Sequence, residues 1–103
     1  MSTPPALTMN DGLSIPQLGF GVFQIPQDET QTAVSSALDV GYRLIDTAQG
    51  YQNEEGVGAA IEAGSIPREE LFITTKLTNS EQGYDQALAA FDQSMRKLSL
   101  IHI

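Results

Sequence analysis

The sequence predicts an α/β protein built on a parallel sheet, and its spacing is the main reason. Short apolar segments recur with centres near Leu18, Ile45, Ile73 and Ile101, which are 27, 28 and 28 residues apart. Each interval contains one helical pattern, and strands that alternate with helices in this way form parallel sheets with right-handed crossovers. Two architectures are compatible with this spacing. One is an open, doubly wound sheet, which about four strands can complete. The other is a (β/α)8 barrel, which needs eight strands and roughly 250 residues.

The N-terminal part predicts a hairpin followed by the first parallel strand. Residues 6–9 and 13–15 flank the sequence NDG at 10–12. Asn and Asp tolerate turn geometry and Gly supplies a positive φ, so we expect a tight turn there. Residues 18–22 are apolar with interspersed glycine and are the predicted strand.

The first two helices are predicted from the residues at their ends. Residues 28–40 carry apolar side chains on one face, with Asp28 as the expected N-cap and Gly41 as a left-handed C-terminal residue. Asn53 is the expected cap of the second helix, and Gly64 stops it.

The remaining elements complete the alternation. Residues 42–45 and 71–76 are the second and third strands, with a single turn at 67–70. Residues 99–103 begin a fourth strand. The third helix has the clearest pattern, because its apolar residues form one stripe at helical period: Tyr84, Ala87, Leu88, Phe91, Met95 and Leu98.

Composition restricts the classes of function. The 103 residues include 13 acidic and five basic side chains, for a net charge of −8. This balance excludes a general nucleic-acid binder, since phosphates need a cationic surface, and it disfavours anionic membranes. No apolar run reaches the roughly 20 residues of a spanning helix, and residues 1–5 do not resemble a signal peptide. The lack of cysteine fits a cytoplasmic location.

Polar side chains follow two neighbouring strands at the edge where α/β proteins place their sites. Asp46 follows the second strand and Lys76 ends the third. Strand interiors are usually dry and an unpaired lysine there is costly, so Asp46 is its expected partner. Tyr51 lies five residues beyond Asp46. A nearby ammonium lowers the pKa of a phenol from about 10, which makes Tyr51 a candidate general acid.

Each of these residues also has a structural interpretation. A buried Asp–Lys pair is often only structural, and a tyrosine in a loop more often packs than reacts. His102 lies among apolar residues and is expected to be an ordinary strand residue. Other chemistries lack their motifs: GFG at 19–21 has no third glycine of a dinucleotide fingerprint, and one histidine without cysteine leaves no credible metal site.

Four segments of the chain carry three motifs: IPQLGFG at 15–21, GYRLIDTA at 41–48 together with YQNEEGVG at 51–58, and FITTKL at 72–77. In this order, they resemble the first strand, the N-terminal signature and the next block of the aldo-keto reductase family. The similarity runs from about residue 7 to residue 98. It is greatest to bacterial members that reduce small carbonyl compounds and keto sugars, such as the 2,5-diketo-gluconate reductases.

The resemblance implies that residues 1–103 are the N-terminal part of a (β/α)8 barrel: a hairpin, about three βα units and the start of a fourth strand. It implies NADPH-dependent reduction of an aldehyde or ketone to an alcohol. The family's catalytic Asp, Tyr and Lys carry over onto Asp46, Tyr51 and Lys76. Tyr51 is then the proton donor, Lys76 lowers its pKa, and Asp46 holds Lys76 and touches the cofactor ribose.

The resemblance also implies binding residues. Gly21, Val22 and Phe23 match the segment beside the nicotinamide, and Phe23 and Tyr51 face the substrate. The family has bulky residues where this chain has Gly50 and Thr78, so we expect a wider pocket.

The family's catalytic histidine precedes Trp-Pro, which His102 does not. We therefore expect the catalytic histidine to lie beyond residue 103 and residues 1–103 alone to be inactive. We expect the complete protein to be a monomer. Two alternatives to a carbonyl reductase remain. One is a non-catalytic barrel relative that serves as a binding or structural subunit, and the other is a free-standing small α/β binding domain.

Overall fold

The computed structural model contains the predicted N-terminal hairpin. Strand β1 (Ala6–Thr8) pairs antiparallel with β2 (Ser14–Pro16), with Leu7 opposite Ile15. Gly12 in the turn between them has a φ of +88°, a conformation that suits glycine. The residues that the structure describes are 5–78, 80 and 82–98.

The described part of the chain contains a three-stranded parallel sheet, as the spacing of the apolar segments predicts. Its strands are β3 (Gly19–Gly21), β4 (Leu44–Asp46) and β5 (Phe72–Thr74), in the spatial order β3-β4-β5. The predicted fourth strand at 99–103, which includes His102, lies outside the described residues.

The strand boundaries differ from the prediction by one or two residues. The second strand was expected at 42–45, yet β4 includes Asp46 as its last residue. The third was expected at 71–76, yet β5 ends before Lys76. The two chain segments remain paired beyond β5, because the backbone N–H of Gln49 donates to the carbonyl oxygen of Lys76 at 3.0 Å.

Three helices pack on the sheet and on one another. They are α1 (Gln27–Asp39), α2 (Glu54–Ala63) and α3 (Tyr84–Lys97), and α2 contacts both of the others. A short 3-10 helix, Arg68–Glu70, occupies the predicted single turn. The core consists of apolar residues from strands, helices and connections: Val22, Val34, Leu38, Ile45, Val57, Ala60, Leu71, Ile73 and Leu98.

The helix ends agree with the prediction in position but not always in role. Gly41 follows α1 with a φ of +112°, as expected. The prediction of Asp28 as N-cap is wrong, since Pro26 occupies that position and Asp28 lies in the first turn. Proline suits a helix start because its φ is fixed and it has no N–H to satisfy. Asn53 precedes α2 but makes no capping hydrogen bond.

Helix α2 lies so close to α3 that one position allows no side chain. A Cβ atom at Gly58 would lie 2.1 Å from the carbonyl oxygen of Lys97. This contact brings the C-terminal end of α3 against α2, where Ser94 and Leu98 are buried.

The apolar stripe of α3 is only partly buried, which the sequence did not predict. Leu98 is fully buried, whereas Tyr84, Leu88 and Phe91 are 82%, 53% and 47% exposed. No described element covers the N-terminal half of this stripe. Among the described residues, no helix has the length and hydropathy needed to cross a membrane.

Candidate active site

The ends of β4 and β5 bring Asp46 and Lys76 together, so the predicted ion pair is present. Lys76 Nζ donates to Asp46 Oδ1 at 2.8 Å and to the carbonyl oxygen of Thr47 at 3.0 Å. The hydroxyl of Thr74 donates to the same oxygen of Asp46. The ammonium therefore connects the carboxyl ends of two neighbouring strands.

The pair is not buried, contrary to the expectation of a dry strand interior. The side chains of Lys76 and Asp46 are 52% and 42% exposed. The physical reason is that β5 ends two residues before Lys76, which places the lysine on the rim of the sheet rather than inside it.

The environment stabilises the charged form of both groups. Burial raises the pKa of Asp46, but hydrogen bonds from Lys76 and Thr74 and the lysine charge outweigh burial, so its pKa lies below the usual value of 3.8. Burial lowers the pKa of Lys76. Its hydrogen bond with Asp46 and its attraction to that carboxylate raise the pKa, smaller contributions from Tyr51 add to them, and together they outweigh burial. The pKa of Lys76 therefore lies above 10.5.

Tyr51 joins this pair from a 3-10 helix, Gln49–Tyr51, that follows β4. Lys76 Nζ lies 5.4 Å from the centroid of the Tyr51 ring, within the range of a cation–π contact. The ring of Phe23 lies 5.1 Å from that of Tyr51, at 55° to it. Four predicted site residues from three separate segments thus meet at one rim.

The segment after β3 closes one side of this rim. The backbone N–H of Val22 donates to the carbonyl oxygen of Asp46 at 3.1 Å. Val22 is fully buried while Phe23 is 64% exposed, so the backbone is fixed and the aromatic ring faces outward. A Cβ atom at Gly21 would meet no other atom within 4 Å, so open space lies beside this backbone.

Gly50 and Thr78, two of the positions where the chain departs from the pattern that the resemblance implies, are neighbours in space. A Cβ atom at Gly50 would lie 3.4 Å from Cγ2 of Thr78, which is ordinary contact. Both positions flank the candidate site, since Gly50 directly precedes Tyr51 and Thr78 follows Lys76 by two residues.

Asn53 has a structural role at the rim that the sequence analysis missed. Its side-chain Nδ2 donates to the carbonyl oxygens of Val22 and Ile25, at 2.8 and 3.1 Å, and its Oδ1 accepts from the Thr47 hydroxyl at 3.0 Å. Asn53 is fully buried. It therefore ties the segment after β3 to the end of β4, instead of capping α2.

Glu54 was also missed as a contributor to the site. It is 3% exposed, and its two carboxyl oxygens accept hydrogen bonds from the hydroxyls of Thr75, at 2.6 Å, and Ser94, at 2.9 Å. In the sequence, Glu54 and Glu55 both occupy the first turn of a helix. Their pattern alone gives no signal that one is buried and the other exposed.

The described residues also form concave surfaces that Asp46, Tyr51 and Lys76 do not line. One of about 590 Å³ is bordered by the start of α1 and by Gln24, and one of about 280 Å³ is lined by Gln49, Gln52 and Glu54 among others. In the described ranges, no group of three or more His, Cys, Asp or Glu residues could hold a metal ion. His102 lies outside those ranges.

The chain belongs to the aldo/keto reductase family, whose family model matches residues 17–103. This finding confirms the resemblance that the three motifs indicate. The chain aligns with three solved aldo-keto reductases with TM-scores from 0.88 to 0.93 and covers 36–39% of them. Its fold is therefore the N-terminal part of a (β/α)8 barrel, and not a doubly wound sheet.

Three relatives illustrate the extent of the similarity. An aldo-keto reductase of Mycolicibacterium smegmatis is 52% identical over 99 residues, which are 96% of this chain and 36% of that protein. The methylglyoxal reductase DkgA of Salmonella typhimurium is 48% identical over 103 residues, or 100% of this chain and 37% of that protein. The aldo-keto reductase of Bombyx mori, solved in complex with NADP, is 40% identical with a TM-score of 0.88, over 98% of this chain and 36% of that protein. The chain thus spans little more than a third of these relatives.

Proposed function

We propose that this chain carries the proton-donating side of an NADPH-dependent carbonyl reductase site. The reaction is the reduction of an aldehyde or ketone, from the class of small carbonyl compounds or keto sugars, to an alcohol. The observation that carries the proposal is the convergence of Asp46, Lys76 and Tyr51 at one rim. Residues 1–103 form one part of the barrel domain in this proposal.

Tyr51 is the proton donor in the proposed mechanism. When a hydride adds to the carbonyl carbon, the electron pair of the C=O bond moves to oxygen, which takes the phenolic proton and becomes a hydroxyl. The resulting phenolate is stabilised by the Lys76 ammonium, which lies near the ring. Phe23, in contact with Tyr51, forms a wall of the substrate pocket.

Asp46 keeps the lysine in place and charged. Its carboxylate accepts a hydrogen bond from Lys76 Nζ and raises the pKa of the lysine, which favours the ammonium form. Gly50 and Thr78, where the family has bulky residues, leave a wider pocket beside Tyr51, which suits substrates larger than a simple aldehyde.

The chain's residues fit a nicotinamide nucleotide at this rim. The open backbone at Gly21 and the exposed ring of Phe23 offer a surface for a flat ring, and the half-exposed Asp46 carboxylate can accept a hydrogen bond from a ribose hydroxyl. NADPH supplies the hydride when it is bound. The Bombyx mori relative, which was solved with NADP, supports this choice of cofactor.

The test uses a completed barrel, defined as the Salmonella typhimurium methylglyoxal reductase in which this chain replaces the matched 103 residues. We expect Tyr51→Phe to reduce the kcat for methylglyoxal by at least about a hundredfold, because a general acid contributes that much, while the Kd for NADPH stays unchanged. Tyr84→Phe on α3 is the matched control and should retain activity.

Two outcomes contradict the proposal. Tyr51→Phe that keeps most of the turnover would show that another group donates the proton. A folded completed barrel that binds NADPH without turnover would support the alternative of a non-catalytic subunit.

We further propose that the complete protein is cytoplasmic and monomeric. The lack of cysteine in this chain supports the cytoplasmic location.

A further inference from the structure

A buried carboxyl group connects the candidate site to two helices. Glu54 is the first residue of α2, and its carboxyl oxygens bridge Thr75, which directly precedes Lys76, and Ser94 on α3. Burying a carboxylate is costly unless it is hydrogen-bonded. The two hydroxyl donors and the N-terminal end of α2 offset this cost.

The bond to Thr75 acts where the chain has left regular structure. β5 ends at Thr74, so the backbone of Thr75 and Lys76 is not held by the strand itself. The Glu54 carboxyl holds the Thr75 side chain at 2.6 Å, and the N–H of Gln49 holds the Lys76 carbonyl oxygen at 3.0 Å. The backbone that carries the lysine is therefore fixed on both sides of its Cα atom.

We propose that Glu54 is a positioning residue for Lys76 and acts through the hydroxyl of Thr75. By anchoring Thr75 to α2, it fixes the direction in which the lysine leaves the backbone and so keeps Nζ between Asp46 and the Tyr51 ring. This inference rests on the proposed function for its kinetic consequences. Its geometric consequences are independent of that function.

The structure provides a matched pair of variants, because the same carboxyl accepts one hydroxyl at each oxygen. Thr75→Val removes the donor beside Lys76 and keeps the shape of the side chain. Ser94→Ala removes the donor on α3, far along the chain from the lysine. If Glu54 only joins helices to the core, the two variants are equivalent; if it positions Lys76, they differ.

The kinetic arm measures methylglyoxal reduction by the completed barrel. We expect Thr75→Val to lower kcat by about tenfold or more with little change in KM, because the interaction acts on the transition state. Thr75→Ser should restore kcat to within about threefold, and Ser94→Ala should stay within that range while losing thermal stability. Equal losses of kcat in Thr75→Val and Ser94→Ala, or no loss in Thr75→Val, would overturn the proposal.

A second arm needs no catalysis, so it separates this inference from the proposed function. The pKa of Lys76 is read by NMR titration of its ε-methylene group in the completed barrel, with the signal assigned through Lys76→Met. We expect Thr75→Val to lower the pKa of Lys76, because its contact with Asp46 is disturbed. Ser94→Ala should leave it in place. A Lys76 pKa that is unaffected by Thr75→Val contradicts the positioning role even if the barrel shows no turnover.

Discussion

Lysine is a flexible cation, and at the rim of this sheet its ammonium is restrained by neighbours of different kinds. Asp46 supplies a charged acceptor, the Thr47 carbonyl a neutral one, and the Tyr51 ring a polarisable face. All three come from β4 or from the connection that follows it, while the lysine comes from beyond β5. The ammonium is therefore directed toward the phenol by groups that one strand end delivers together.

Because this ion pair is half exposed, its loss should affect catalysis much more than folding. We expect Lys76→Met in the completed barrel to reduce kcat by at least about a hundredfold while changing the free energy of unfolding by less than about 1 kcal/mol. Turnover and urea unfolding measure the two effects, with Lys97→Met as control. A stability loss of several kcal/mol would mean that the pair is buried in the complete protein.

The direction of both pKa shifts predicts how the pair contributes to stability as pH changes. Asp46 has a pKa below 3.8 in the folded chain, so its contribution is full above that value and is lost as pH falls through the folded pKa. Lys76 has a pKa above 10.5, so its contribution is lost only as pH rises through that higher value.

Comparison of the unmodified completed barrel with Asp46→Asn by urea unfolding tests this prediction. The difference in unfolding free energy should be constant near neutral pH and should shrink below about pH 4. A difference that grows on acidification contradicts the assigned direction of the Asp46 shift.

Residues at strand ends could be predicted from the sequence, whereas the buried polar residues behind them could not. Asp46, Lys76 and Tyr51 follow apolar strands whose parallel arrangement brings their ends to one edge. The role of Asn53 depends on the carbonyl oxygens of Val22 and Ile25, about 30 residues away, which no local pattern specifies. Local chemistry therefore predicted a cap, and a tertiary contact took its place.

At the scale of elements, the close contact between α2 and α3 depends on the absence of a side chain at Gly58. Alanine favours a helix over glycine by about 1 kcal/mol, but its Cβ would lie 2.1 Å from the Lys97 carbonyl oxygen, and backbone must then move. Because overpacking costs about 1–3 kcal/mol, we expect Gly58→Ala to lower the unfolding free energy of the completed barrel by roughly 2 kcal/mol.

Chemical denaturation checks this value, with Gly21→Ala as a control at a position where a Cβ meets no atom within 4 Å. Increased stability of Gly58→Ala would mean that α3 packs differently against α2. The close contact could not be predicted from the sequence, because a glycine at position 58 is equally compatible with a weakly stable helix. Only the approach of α3 explains the glycine at this position.

At the scale of the molecule, the described residues leave part of an apolar helix face uncovered. Tyr84, Leu88 and Phe91 are exposed on α3 with no described element over them. Periodicity predicted the stripe correctly, but not its exposure, because burial depends on what packs beside the helix. The relatives are nearly three times as long as this chain, which accounts for the missing cover if the chain is part of such a barrel.

We expect the 103-residue chain alone to be nearly inactive, for electrostatic and geometric reasons. Its net charge of −8 repels an anionic dinucleotide, and its described sheet supplies three of the eight strands whose loops form a barrel site. Its kcat/KM for methylglyoxal should be at least about a thousandfold below that of the completed barrel, with both measured by NADPH oxidation at equal protein concentration.

Raising the salt concentration screens the electrostatic repulsion and so separates the electrostatic cause from the geometric one. If salt restores NADPH binding but not turnover, the missing strands limit catalysis; turnover by the chain alone within about tenfold of the completed barrel would show that the rim around Tyr51 is sufficient.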